Sequence, residues 1–149
     1  MTDNKPDNPL IQEILKILER YVQGEENALE ELENYGEGIC LISESKGRVV
    51  TNNETLDRMF GYDPGEIASL GDSLVAFPSF SAEINLRTIA LQIHKDGYWI
   101  GVAPYLKKND STFYCQSTII PFEHLRFGTV WLVLHTEIQK SDYSANNLH

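Results

Sequence analysis

Residues 38–62 read Gly-Ile-Cys-Leu-Ile-Ser-Glu-Ser-Lys-Gly-Arg-Val-Val-Thr-Asn-Asn-Glu-Thr-Leu-Asp-Arg-Met-Phe-Gly-Tyr, and their order decides the fold. Ile39 to Ile42 form a short apolar run, the length of a strand buried on both faces. Ser43 to Gly47 carry turn chemistry, with Gly47 free to adopt a positive φ. Arg48 to Asn52, with β-branched Val49, Val50 and Thr51, read as the second strand of a hairpin. Asn53 then suits an N-cap, because its side-chain carbonyl can accept from a first-turn amide. Leu56, Met59 and Phe60 supply the i, i+3, i+4 face of a short helix that Gly61 stops.

Upstream, Ile11, Ile14, Leu15, Leu18, Tyr21 and Val22 recur at helical spacing, and Ala28, Leu29, Leu32 and Tyr35 continue the phase beyond Gly24. Gly24 and Glu25 mark a place where the helix can kink or break. The stripe has two readings, a cover for the chain's own sheet or a dimerisation helix. A helix from Leu10 to Leu32 would be about 35 Å long, more than one small sheet covers, which points to a second copy. The expected interface is Ile11, Ile14, Leu15, Leu18, Tyr21 and Val22.

Downstream, Glu66–Leu70 and Asp72–Ala76 read as short helical turns, and Ser81 as the cap of a helix reaching His94, with Ile84, Leu91 and Ile93 on its apolar side. Three strands follow, over 98–106, 112–122 and 127–138. In the last, Thr129, Trp131, Val133 and His135 point one way and Val130, Leu132 and Leu134 the other. Both sets are largely apolar, so this strand belongs in the middle of a sheet covered on both sides. On the strand before it, one face carries Phe113, Cys115, Ser117 and Ile119, the other Tyr114, Gln116, Thr118 and Ile120, and one set must face the interior.

Strand, glycine turn, strand, Asn53-capped helix and Gly61-Tyr62 together resemble the opening of a PAS domain. Gly97-Tyr98-Trp99, the Lys107-Lys108 turn and Pro121 extend the resemblance over about residues 35–139. Two departures are Asp110-Ser111 where Asp-Gly is usual, and Glu137-Ile138-Gln139 in place of Asp-Ile-Thr. The resemblance implies an α+β fold: a five-stranded antiparallel sheet in the order two, one, five, four, three, helices on one face, and the N-terminal amphipathic helix. The division is then 1–34 for lead-in and helix, 35–139 for the PAS domain, and 140–149 for a polar tail. It also implies a sensory or regulatory role in signal transduction, exercised through homodimerisation and contact with a downstream signalling protein. The alternative is a receptor that binds a small molecule, flavin or haem between sheet and helices. Such a site would draw on Phe60, Ile84, Cys115, Ser117, Trp131 and His135. A tightly packed core explains the same pattern.

The chain has 149 residues, enough for one domain with a proper core, and a net charge of −10. Such a surface repels phosphates and anionic lipid, so neither nucleic acid nor membrane is an expected partner. No apolar run approaches the about 20 residues of a membrane span, and a soluble, cytoplasmic protein is expected. Cys40 and Cys115 have no pairing or metal-ligand spacing and read as buried thiols. No cofactor is expected. The cysteine that light-oxygen-voltage relatives use after the Gly-Tyr helix is missing from residues 67–77, and His94, the one candidate haem ligand, falls at a helix end. His135 reads as packed and hydrogen-bonded, with a ligand contact as the alternative. No nucleophile stands at a recognisable spacing from a base, and Asp57 and Glu66 read as solvated helix residues, so no catalytic site is expected.

Overall fold

The computed structural model describes residues 8–72, 77–78 and 85–142. Helix α1 (Pro9–Val22) leads into a 3-10 segment (Glu26–Asn34), then β1 (Gly38–Ser43) and β2 (Arg48–Asn52). Helices α2 (Glu54–Met59), α3 (Glu66–Leu70) and α4 (Leu86–Asp96) follow, and β3 (Trp99–Leu106), β4 (Thr112–His124) and β5 (Gly128–Ile138) complete the sheet. All pairings are antiparallel, in the order β2-β1-β5-β4-β3. The expected order and the central place of the last strand both hold.

The sheet separates two apolar cores. On one side Trp131 and Val133 pack with Cys40, Ile42, Cys115 and Ile119 beneath α2, α3 and α4. On the other, Val130, Leu132 and Leu134 pack with Ile39, Leu41 and Ile120 beneath α1 and the 3-10 segment. The period-two split of β5 is therefore the split between the cores.

Helix α1 begins where the Asn8 side chain accepts from the amides of Leu10 and Ile11, with Pro9 in the first turn. It ends at Val22, before Gly24 turns the chain at φ +108°. At 14 residues it is about 21 Å long. The continuous stripe to Tyr35 thus divides at the glycine, and the premise of an overlong helix goes with it. Arg20 clasps the break, pairing with Glu25 and, at 2.6 Å, with Glu31 on the 3-10 segment. Ile11, Ile14, Ile17 and Leu18 are buried against the chain's own sheet. Ile11, Ile14 and Leu18 of the expected interface are thus buried within one chain, while Leu15, Tyr21 and Val22 stay half-exposed. Ile17, absent from the expected stripe, completes it.

The centre of the opening motif is Asn53, 1% exposed. Its Oδ1 accepts from the amides of Leu56 at 3.1 Å and Ile39 at 2.9 Å, and its Nδ2 donates to the carbonyls of Leu32 at 3.0 Å and Glu37 at 2.9 Å. The cap of α2 thereby also fixes β1 and the end of the 3-10 segment. Gly38 lets β1 pass close to α2, since a Cβ there would lie 2.9 Å from Leu56 Cδ1.

Asp57 is not solvated. It is buried, and its carboxylate accepts from the amides of Gly65 at 3.0 Å and Ile67 at 3.1 Å and from Asn52 Nδ2 at 3.0 Å. A carboxylate from α2 thus satisfies first-turn donors of α3, where the helix end is positive. Glu66 is half-buried and pairs with Lys108 at 2.6 Å, which ties the two-lysine turn to α3. Asp72 bridges to Arg48 rather than opening a helical turn, and residues 73–76 lie outside the described part. Helix α4 is capped by Asn85 in a reciprocal pair with Thr88, four residues later than Ser81. Ser81 and Ile84 lie outside the described residues. Ile89 and Ile93 carry the buried face of α4, and Leu91 is 57% exposed.

Candidate functional site

The interior-facing set on β4 is Phe113, Cys115, Ser117 and Ile119. Register places Ser117 opposite His135 on β5 and Gly101 on β3, with Tyr105 two steps along its strand from Ala103 on the same face. The Tyr105 hydroxyl donates to Ser117 Oγ at 2.6 Å, and Ser117 Oγ lies 2.7 Å from His135 Nδ1. Which of Ser117 Oγ and His135 Nδ1 donates in that contact depends on the imidazole tautomer.

This polar chain sits inside a knot of rings. Phe60 meets Phe113 edge-on at 4.9 Å and Tyr105 at 5.9 Å, and lies 5.4 Å from His135, while Tyr105 and His135 are 4.7 Å apart. Such contacts define a packed interior. Burial drives the Tyr105 hydroxyl well above the usual phenol range. The serine and histidine are each 1% exposed, so the pair that resembles a nucleophile and its base is sealed from any substrate. Its work is to satisfy three buried polar groups at once.

Open space lies farther along the sheet. A cleft of about 610 Å3 runs between the β1–β2 turn, β5 and α4, lined among others by Ile42, Glu44, Phe77, Ala90, Ile93 and Trp131. Trp131 is 8% exposed, meets Phe77 edge-on at 6.1 Å, and donates from Nε1 to Glu44 Oε2 at 2.9 Å. His94, exposed on α4, and Pro121 complete the rim.

The expected ligand residues therefore divide. Phe60, Cys115, Ser117 and His135 come together, but as packed core; Trp131 alone among the described ones reaches the cleft; Ile84 lies outside the described residues. Glu44, Phe77, Ala90 and Ile93 were missed. Alternation could have found Tyr105, and the odd polar residue in Ile42-Ser43-Glu44 could have pointed to Glu44, whereas Ala90 carries no signal.

Adduct chemistry with a flavin does not fit these residues. Both cysteines are buried in the packed core and neither lines the cleft. Burial pushes the Cys115 thiol up to about 12 and that of Cys40 higher still, so both remain protonated and unreactive at neutral pH. Among the described residues no group of three or more His, Cys, Asp or Glu side chains could hold a metal ion, and no helix is long and apolar enough to cross a membrane.

No family model matches the chain, and no curated protein matches it significantly. Solved structures do. The PAS domain of a Colwellia psychrerythraea protein is 14% identical with a TM-score of 0.63, over 77% of this chain and 97% of that one. A Rhodobacter sphaeroides LOV protein is 19% identical with a TM-score of 0.60, over 85% and 70%. The PAS domain of the fruit-fly ELK potassium channel is 13% identical with a TM-score of 0.57, over 76% and 96%. At such identities the likeness speaks for the fold alone, and it agrees with the five-stranded antiparallel sheet and its helices: the chain is a PAS-fold domain.

Proposed function

We propose that this domain is a non-catalytic sensory or regulatory module of signal transduction, which receives a small molecule in the cleft beneath α4 and passes its state on through protein contacts. The observation that carries the reading is the cleft itself. Its volume falls within the range of small-molecule sites, its walls are mostly apolar, and its polar groups gather at the rim. The LOV protein among the similar structures brings flavin to mind, but a freely exchanging ligand accords better with two inert thiols and a filled ring cluster.

Titration with 2-phenylethanol, a neutral apolar probe, is expected to shift the amide signals of Ile42 and Ile93 and the indole signal of Trp131 saturably. Ala90 is exposed on the cleft-facing side of α4, so Ala90→Phe should leave the fold intact while filling the space and abolishing these shifts. Shifts scattered elsewhere, or unchanged by Ala90→Phe, would overturn the reading. The purified protein should absorb only in the aromatic band near about 280 nm; a flavin or Soret band retained through gel filtration would replace exchange by a resident cofactor.

Pairing of two copies through α1 is a second reading, favoured by one observation. Leu15 and Val22 stay half-exposed beside Phe122 in a groove of about 350 Å3. Light scattering at tens of micromolar should then give a dimer that Leu15→Glu with Val22→Glu converts to a folded monomer. A native monomer would end this reading and leave α1 as an intramolecular cover.

A further inference from the structure

The walls and rim of the cleft differ in chemistry, and the difference constrains what can enter. Inside, Ile42, Phe77, Ala90, Ile93 and Trp131 offer apolar and aromatic surface. At the rim, Glu44 is exposed and is the one charged side chain among the described lining residues, which include no lysine or arginine. The Trp131 indole N–H, which could have served as a donor to a ligand, is engaged with Glu44 Oε2. Among the described residues no donor reaches the other oxygen, Oε1, which is left to accept. Ser43 contributes no donor, because it pairs with Val130 and so turns its side chain to the α1 face. His94 is the remaining polar side chain among the described lining residues, on the α4 rim.

We infer that the cleft selects an amine: a molecule with an apolar, preferably aromatic, body and a single protonated amino group. The inference rests on the cleft being a binding site. The body lies against Trp131 and Phe77, and the ammonium stays at the rim, where Glu44 accepts from it while water still solvates its other protons. That placement avoids burying a charge. The Trp131 ring adds attraction for a cation near its face. A carboxylate on the same body would meet Glu44 and a chain of net charge −10, with no lysine or arginine among the described lining residues to offset them.

Three probes that share one body separate the possibilities: 2-phenylethylamine, 2-phenylethanol and phenylacetate, each titrated by calorimetry and by amide and indole chemical shifts. The amine should bind about fivefold tighter than the alcohol, the strength of a favourable exposed ion pair, and phenylacetate should be the weakest. Glu44→Gln, whose side-chain carbonyl can still accept from Trp131, should bring the amine to the alcohol's affinity and leave the alcohol unchanged. Glu30→Gln, an exposed carboxylate on the 3-10 segment, makes the same change in net charge and should preserve the preference. Higher salt should narrow the gap between amine and alcohol. Equal binding of amine and alcohol, or a preference that survives Glu44→Gln, overturns the amine assignment while the cleft stands as a site. Failure of all three probes to shift the cleft signals overturns the assignment and the site together.

Discussion

Truncating Trp131 to Ala should cost on the order of 3–5 kcal/mol and lower the urea midpoint accordingly. The indole is 8% exposed in the central strand, and its removal opens a space between Phe77 and Ile42 while Glu44 loses a charge-assisted donor. Trp131→Phe separates the contributions. It retains most of the ring contact with Phe77 and loses the hydrogen bond, so about 1–2 kcal/mol should go. A Trp131→Ala protein with an unchanged midpoint would contradict the placement of this side chain against the helix-covered face.

Asn53→Ala should be comparably severe, about 4 kcal/mol. Four hydrogen bonds go at once, those to the amides of Ile39 and Leu56 and those to the carbonyls of Leu32 and Glu37, and of these groups the Leu56 amide keeps the Asn53 backbone carbonyl at 3.2 Å. A single buried unsatisfied group costs about 1–3 kcal/mol, and an ordinary lost helix cap only about 1. The size of the effect is therefore diagnostic. Asn53→Asp keeps both accepted bonds but sets a carboxylate oxygen against the carbonyls of Leu32 and Glu37, so it should be at least as severe as Ala at neutral pH. A loss near about 1 kcal/mol for Asn53→Ala would mean that Asn53 caps α2 and does little else.

Asn53 also illustrates what a linear sequence can convey. Its role as a cap was legible because a cap depends on residues within three positions. Its bonds to Leu32 and Glu37 were not, because they depend on where the 3-10 segment comes to rest. Asp57 was misread for the same reason. A carboxylate on a short helix looks solvated until the chain reverses at Gly61-Tyr62 and brings the amides of Gly65 and Ile67 onto it. The facing of β5 was legible throughout, since alternation states which side chains share a surface. The α1 stripe announced only that it needed covering, and a sheet and a second copy satisfy that need equally well in sequence terms. The expected ligand residues shared the correct face, yet tight ring packing around Phe60 is a matter of shape, and volume left over elsewhere is not encoded in any one residue.

The pairing of β1 with β5 joins Gly38 to His135 and Ser43 to Val130, across a loop of roughly 90 residues. Both cores contain side chains of β5, so neither can close before that strand arrives. On a ribosome, β1 would wait with the edge meant for β5 unpaired while the rest of the chain emerges, and β4 would have only β3 beside it until β5 follows. The β3–β4–β5 meander can form from near neighbours, whereas docking of β1 is the slow, non-local step. Until it happens, the apolar run from Ile39 to Ile42 is open to the wrong neighbour, and the newborn chain is at its most prone to aggregate.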